Sequence, residues 1–243
     1  MKTKRGIIFD MDGVLVDAMP FHCKAIQIAA KQEANIDVEE RDVYLLEGMP
    51  GEDMVKEVLR RKGQSDNKER HDNDDDGGIN DKLQSLAHKI HERKKEIFEQ
   101  INSSSPIFGA RELIASIECK KALVSGAAKQ EVNSIVEKYF GKESFDVIIT
   151  GEDLEQGKPS ADPFRTALMK LGLRESDAII VENAPLGVEA ANNAGIKCIV
   201  TLNNTRLEIS DFNGLISSEC IFPDTSSAGS FLRKYCETLD YGD

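Results

Sequence analysis

The sequence predicts an α/β fold: a Rossmann-like parallel sheet with helices on both faces, interrupted by an inserted helical domain. Three observations carry that expectation. Short β-branched apolar runs recur along the chain, amphipathic patterns separate them from the second run onward, and about a hundred residues of helical pattern stand between the first run and the second.

Taken in order, Gly6–Phe9 is the first strand, and Asp10 and Asp12 follow at its end. The long stretch beyond it exceeds an ordinary crossover. Pro20–Lys31 is amphipathic, and Gly51–Arg61 carries Met54, Val55, Val58 and Leu59 at helical spacing. Ile79–Ile101 sets Leu83, Leu86, Ala87, Ile90, Lys94 and Ile97 along one side. The polar breaker "NSSSP", Asn102–Pro106, marks the return. The expected division is a core of residues 1–17 and 98–243 and a helical insertion of residues 18–97. Strands at Ala122–Val124, Val147–Ile149, Ala178–Val181 and Cys198–Leu202 then alternate with helices at Gln130–Tyr139, Pro163–Leu171 and Gly187–Ala194. Cys220–Phe222 reads as an added edge strand. "RHDNDDDGG" (Arg70–Gly78) resembles the start of a calcium loop at Asp72, Asp74 and Asp76, but the bidentate glutamate is missing, so it reads as a solvated connection.

Composition narrows the function classes. A net charge of −12 repels phosphate backbones, which argues against nucleic-acid binding, and any phosphate site here needs local cations or a metal. The apolar run after the basic N-terminus is too short for a leader and meets aspartates at once, and no apolar run has membrane-spanning length. A cytoplasmic protein is expected, as a monomer or weak homodimer. The five cysteines, Cys23, Cys119, Cys198, Cys220 and Cys236, lack zinc-ligand spacing and read as reduced structural thiols.

In an open parallel sheet, ligands bind beyond the carboxyl ends of the strands. Asp10 and Asp12 fall there, as do Ser125 with Gly126, and Glu182 with Asn183, while Lys158 stands just before a helix. Carboxylates and a side-chain amide suit Mg²⁺, a hard cation. Asp10 can attack phosphorus, and Asp12 can protonate a leaving oxygen and later activate water. Ser125, the N–H groups of Gly126 and Ala127, and Lys158 can hold phosphoryl oxygens.

The segments "DMDGVLVD", "VSGA", "GKPSADPF" and "VENAPLGVEAANNAGI" resemble, in order, the four motifs of the haloacid dehalogenase-like hydrolases. The branch is that of β-phosphoglucomutase and phosphoglycolate phosphatase, and the helical insertion resembles its C1-type cap. The resemblance implies a Mg²⁺-dependent phosphatase acting on a small phosphorylated metabolite, with Asp10 as nucleophile, Asp12 as acid and base, and Ser125 and Lys158 as phosphate ligands. It implies Mg²⁺ on Asp10, the main-chain carbonyl of Asp12, Glu182 and Asn183. Dehalogenases of this superfamily lack the second aspartate, so Asp12 favours phosphate chemistry. Most relatives carry Glu-Asp where this chain has Glu182-Asn183; the amide brings no charge, so weaker metal binding, or a substrate with its own negative charge, is expected.

Substrate choice falls to the cap, with Leu45–Met54 as the expected specificity loop. Sugar-phosphate mutases of this branch carry an arginine there; the corresponding position is Gly51, which weakens the phosphomutase reading. Glu47 is either a solvated helix-end acid or a group that points into the closed site to meet a hydroxylated leaving group or a Mg²⁺-bound pyrophosphate. His22 is either a helix-packing histidine or one that reaches the substrate on closure, and Asp17 marks the hinge. A binding protein that kept the fold without turnover is the reading from another class; the set Asp10, Asp12, Ser125 and Lys158 argues against it.

Overall fold

The computed structural model describes residues 5–66 and 76–237. Asp72 and Asp74 lie outside the described residues, as does the side chain of Asp76. The chain opens with β1 (Gly6–Asp10), passes through α1 (Met19–Ala34), α2 (Glu40–Leu45), α3 (Gly51–Asp66), α4 (Asp76–Ile101) and α5 (Ala110–Ser116), and returns to β2 (Lys120–Val124). Then come α6 (Lys129–Tyr139), β3 (Val147–Ile149), α7 (Asp162–Leu171), β4 (Ala178–Glu182), α8 (Pro185–Ala194), β5 (Lys197–Thr201), β6 (Ile221–Phe222) and α9 (Thr225–Glu237). Each predicted strand is present within a residue or two of its expected ends.

The six strands are all parallel, in the order β3-β2-β1-β4-β5-β6. The chain fills one side of β1 and then the other, so the order reverses beside β1, and a crevice opens beyond its carboxyl end. Register matters there. Asp10 pairs with Val124, and Phe9 with Val181, so Ser125 and Glu182 fall at the same level as the end of β1.

Side chains of β1 alternate between two cores, as the pleat requires. Ile7 and Phe9 pack with Leu123, Val132, Leu113 and Leu232 on one face. Ile8 packs with Val124, Phe164, Ala167 and Ala190 on the other. The inserted helices have a core of their own, from Ile26, Ala29 and Ala30 of α1 to Ala87, Ile90 and Ile97 of α4. That cluster also takes in Val188, Val200, Leu207 and Phe212, so the insertion rests on α8, β5 and the segment after it.

The insertion leaves and returns at adjacent points. Asp17 N–H donates to Ser105 O at 2.9 Å, Ile107 N–H to Leu15 O at 2.9 Å, and Val16 pairs antiparallel with Pro106. The breaker "NSSSP" is thus one of two side-by-side crossings, while α4 runs unbroken to Ile101.

One expectation is corrected. Cys119 and Cys236 form a disulfide across 117 residues, with Cα atoms 5.4 Å apart and both side chains in one apolar cluster. Only Cys23, Cys198 and Cys220 are free. Sequence spacing carries no trace of the pair, because Cys119, just before β2, and Cys236 of α9 meet only in the folded core.

Candidate active site

Asp10 is the last residue of β1 and is buried. Lys158 comes in from the segment before α7 and donates from Nζ to both Asp10 Oδ1 and Glu182 Oε1. Its stem stands near Phe164, the ammonium 5.3 Å from the ring centroid. The two carboxylates hold Lys158 in its charged form against the cost of burial. For Asp10 the balance goes the other way: burial outweighs the pull of Lys158 and raises the carboxyl to about 7.

Glu182 is oriented by the start of α8. Its Oε2 accepts from its own neighbour, Asn183 N–H, at 2.9 Å and from Ala184 N–H at 3.4 Å, which sets the carboxylate at a helix N-terminus. Gly187 makes room for it: a Cβ there would lie 2.0 Å from Glu182 Cδ.

Asn183 faces the insertion. Its Nδ2 donates to Glu47 Oε2 at 2.9 Å across 136 residues, and both side chains are buried. The solvated reading of Glu47 is therefore overturned; with 6% exposure it lies inside the closed crevice. Burial, together with Asp10 and Glu182, pushes its carboxyl far above the usual range, against the hydrogen bond from Asn183. Glu47 Oε1 and Asn183 Oδ1 are buried with no hydrogen-bond partner. Two orphaned hard oxygens beside Asp10 and Glu182 suit a hard cation. Among the described residues no cluster of three or more His, Cys, Asp and Glu side chains forms a ready metal cage.

Asp12 sits in the sharp turn that follows β1. Gly13 has φ +74°, and a Cβ on it would lie 2.0 Å from Asn183 Nδ2, so neither the conformation nor the space admits a side chain. Burial and the charges of Asp10 and Glu131 raise Asp12 to about 8. His22 Nε2 lies 4.0 Å from Asp12 Oδ2. The imidazole stacks on Phe98 at 4.0 Å and accepts at Nδ1 from Lys94 Nζ at 2.9 Å. With Lys94 as the donor, the ring proton is placed on Nε2, toward Asp12, although burial pushes the Lys94 pKa down. Burial and Lys94 push the His22 pKa well down and keep it neutral. His22 thus packs within the insertion and also faces the acid.

Ser125 is buried at the end of β2, and its Oγ accepts from Ala127 N–H at 3.1 Å. In this arrangement the Ala127 N–H is turned back onto Ser125, whereas Gly126 is exposed with open space around its Cα. Gly51, where an arginine would stand in a mutase, opens α3 against His91; a Cβ there would lie 2.3 Å from the ring. The crevice cations are instead Lys158 and Lys94. Sequence reading places Lys94 merely on a helix stripe. Its signal was a charge among Ala87, Ile90 and Ile97, which mark the buried side. Glu131 on α6, which faces Lys94 and Asp12, gave no such signal.

The sequence matches the haloacid dehalogenase-like hydrolase family over residues 7–201. It is 27% identical over 200 residues to the phosphorylated carbohydrates phosphatase of Thermotoga maritima, spanning 80% of this chain and 83% of that one. It is 23% identical over 195 residues to the beta-phosphoglucomutase of Bacillus subtilis, spanning 79% and 80% of the two chains. A candidate beta-phosphoglucomutase of Bacteroides vulgatus, known by its solved structure, superposes with a TM-score of 0.76 at 25% identity over 96% of this chain and 90% of that one.

Proposed function

This chain belongs to the haloacid dehalogenase-like hydrolases, and from that membership we propose that it is a Mg²⁺-dependent phosphatase of a small phosphorylated sugar, working through a phosphoaspartate on Asp10. The observation that carries the proposal is the junction of Asp10, Lys158 and Glu182 at aligned strand ends. Asp10 supplies the carboxylate oxygen that attacks phosphorus. Lys158 and Ser125 bind the phosphoryl oxygens, and the ammonium offsets the charge of the two carboxylates around it. Asp12, raised to about 8, retains a proton at neutral pH to give to the leaving oxygen. It then takes one from the water that releases Asp10. His22 and Lys94 line the leaving-group side next to it.

Asp10, the Asp12 carbonyl, Glu182 and Asn183 would hold Mg²⁺. When bound, the ion screens the charge of nucleophile and phosphate from each other. The helical insertion of residues 18–97 acts as a cap over the core of residues 1–17 and 98–243, hinged at the crossings beside Asp17.

One observation favours a second reading. Glu47 is buried against Asn183 in the crevice, and an acid beside the proposed metal ligands favours a metal-bound inorganic pyrophosphate. A phosphate-release screen with Mg²⁺ across sugar phosphates, phosphoglycolate, nucleotides and pyrophosphate tests both. Release that disappears in Asp10→Asn is expected, with a sugar phosphate preferred. Turnover that survives Asp10→Asn overturns the mechanism. Pyrophosphate as the preferred substrate, with loss in Glu47→Ala confined to it, selects the second reading.

A further inference from the structure

We propose that Asn203 and Thr225 form a partly buried polar clamp that positions Asp12 by holding the turn after β1, an inference that rests on the phosphatase reading above. The turn is closed by its own bonds: Gly13 N–H donates to Val16 O at 2.8 Å, and Leu15 and Val16 N–H donate to Met11 O at 2.9 and 3.0 Å. The carbonyls of Gly13 and Val14 take no part in these bonds. Asn203 Nδ2 donates to Gly13 O at 2.6 Å, and Thr225 Oγ1 donates to Val14 O at 3.1 Å.

The clamp also closes on itself. Asn203 Oδ1 accepts from Thr225 N–H at 2.9 Å and lies 3.2 Å from Thr225 Oγ1. A backbone N–H can only donate, so it fixes which end of the amide is oxygen and turns the Nδ2 toward Gly13. Nδ2 also lies 3.3 Å from Thr201 Oγ1 at the end of β5. Thr225 is fully buried. Asn203 adopts a left-handed backbone, φ +47°, which asparagine tolerates better than most residues. A conformation that costs energy, two residues beyond β5, is thereby tied to the first residue of α9 and to the turn that carries the acid.

Asn203 and Thr225 act on the backbone of the turn and are positioning residues. General acid catalysis falls off steeply when the carboxyl moves from the leaving oxygen, while ground-state phosphate binding, carried by Ser125 and Lys158, does not depend on that placement. The effect therefore belongs in kcat, and more on a substrate whose leaving group needs a proton.

Thr225→Val and Asn203→Ala are compared with Thr225→Ser on two probes, glucose 6-phosphate and p-nitrophenyl phosphate. In single turnover, which isolates the step that expels the leaving group, the expected rate loss is about tenfold or more on the alkyl ester and under about threefold on the aryl ester, with KM held within about twofold and Thr225→Ser close to wild type. Equal losses on both esters, or none, in folded variants overturn the proposal. Deuterium exchange of the Gly13, Leu15 and Val16 amides supplies a readout free of turnover. Faster exchange there in either variant, with β4 unchanged, is expected; unchanged exchange in the turn overturns the clamp. Where the wild-type protein releases phosphate from neither ester, the wider substrate screen above decides the phosphatase reading, and the exchange result decides the clamp.

Discussion

The buried carboxyls set how this protein responds to pH. Asp10 at about 7, Asp12 at about 8 and Glu47 well above its ordinary range all keep protons that the unfolded chain gives up near 4. Between those limits the folded form binds more protons, so stability is fullest at acidic pH and falls as pH rises through the folded values. Lys158 stays charged throughout and does not change that sign. The expected outcome is a metal-free melting midpoint that declines from about pH 5 to about pH 8.5, and a decline that Mg²⁺ largely removes by stabilising the ionised carboxylates. A midpoint that rises over that range in the metal-free protein would show that these groups are not buried as described.

The same residues show what sequence can and cannot reveal. Asp10, Lys158, Glu182 and Asn183 were legible because each stands where a strand or loop must end in a parallel sheet. Contacts between Glu47 and Asn183, and between Lys94 and His22, join segments far apart in the chain, and no local pattern encodes them.

Among the elements, the strands and the longer helices announce themselves by period, and three helices do not. The six-residue α2 buries only Val43 and Tyr44, too few to set a phase. The seven-residue α5 follows Gly109 and buries Ala110, Leu113 and Ile114. The helix α9 begins with small polar residues that read as a loop. Its start is fixed by Asp224 Oδ1, which accepts from Ser227 N–H at 2.7 Å, while Ser227 Oγ lies 3.3 Å from Asp224 N–H, a reciprocal cap. The turn from Met11 to Val16 is the element on which the site depends most. Gly13→Ala there meets both a left-handed backbone and Asn183 Nδ2. A loss of about 2–4 kcal/mol in chemical denaturation is expected, from strain plus overpacking. A loss below about 0.5 kcal/mol would mean that the turn is free to relax away from Asn183.

Across the whole molecule, the insertion is also held at its edge, away from the crossings. Arg41 on α2 pairs with Asp211, and Arg206 Nε donates to Glu40 Oε2 at 2.8 Å, so α2 is latched to the segment that links β5 to β6. Leu207 and Phe212 of that segment are buried in the insertion's core. Exposed pairs of this kind contribute about 0.2–1 kcal/mol each and are screened by salt. Glu47 lies just beyond α2, so the latch bears on whether the crevice is shut. Arg41→Ala is expected to raise KM about two- to threefold at low ionic strength, with the difference fading near 0.5 M salt. A difference that persists at high salt would assign Arg41 a role other than ion pairing.

The paired crossings at Val16 and Pro106 carry a consequence for descent. Chain that departs and comes back through one doorway can be exchanged as a cassette, because a splice at that doorway leaves every strand end where it was. Lineages of such proteins are free to trade the insertion while keeping the strand ends, and the apolar seat around Val188 and Val200 is the surface each newcomer has to fit.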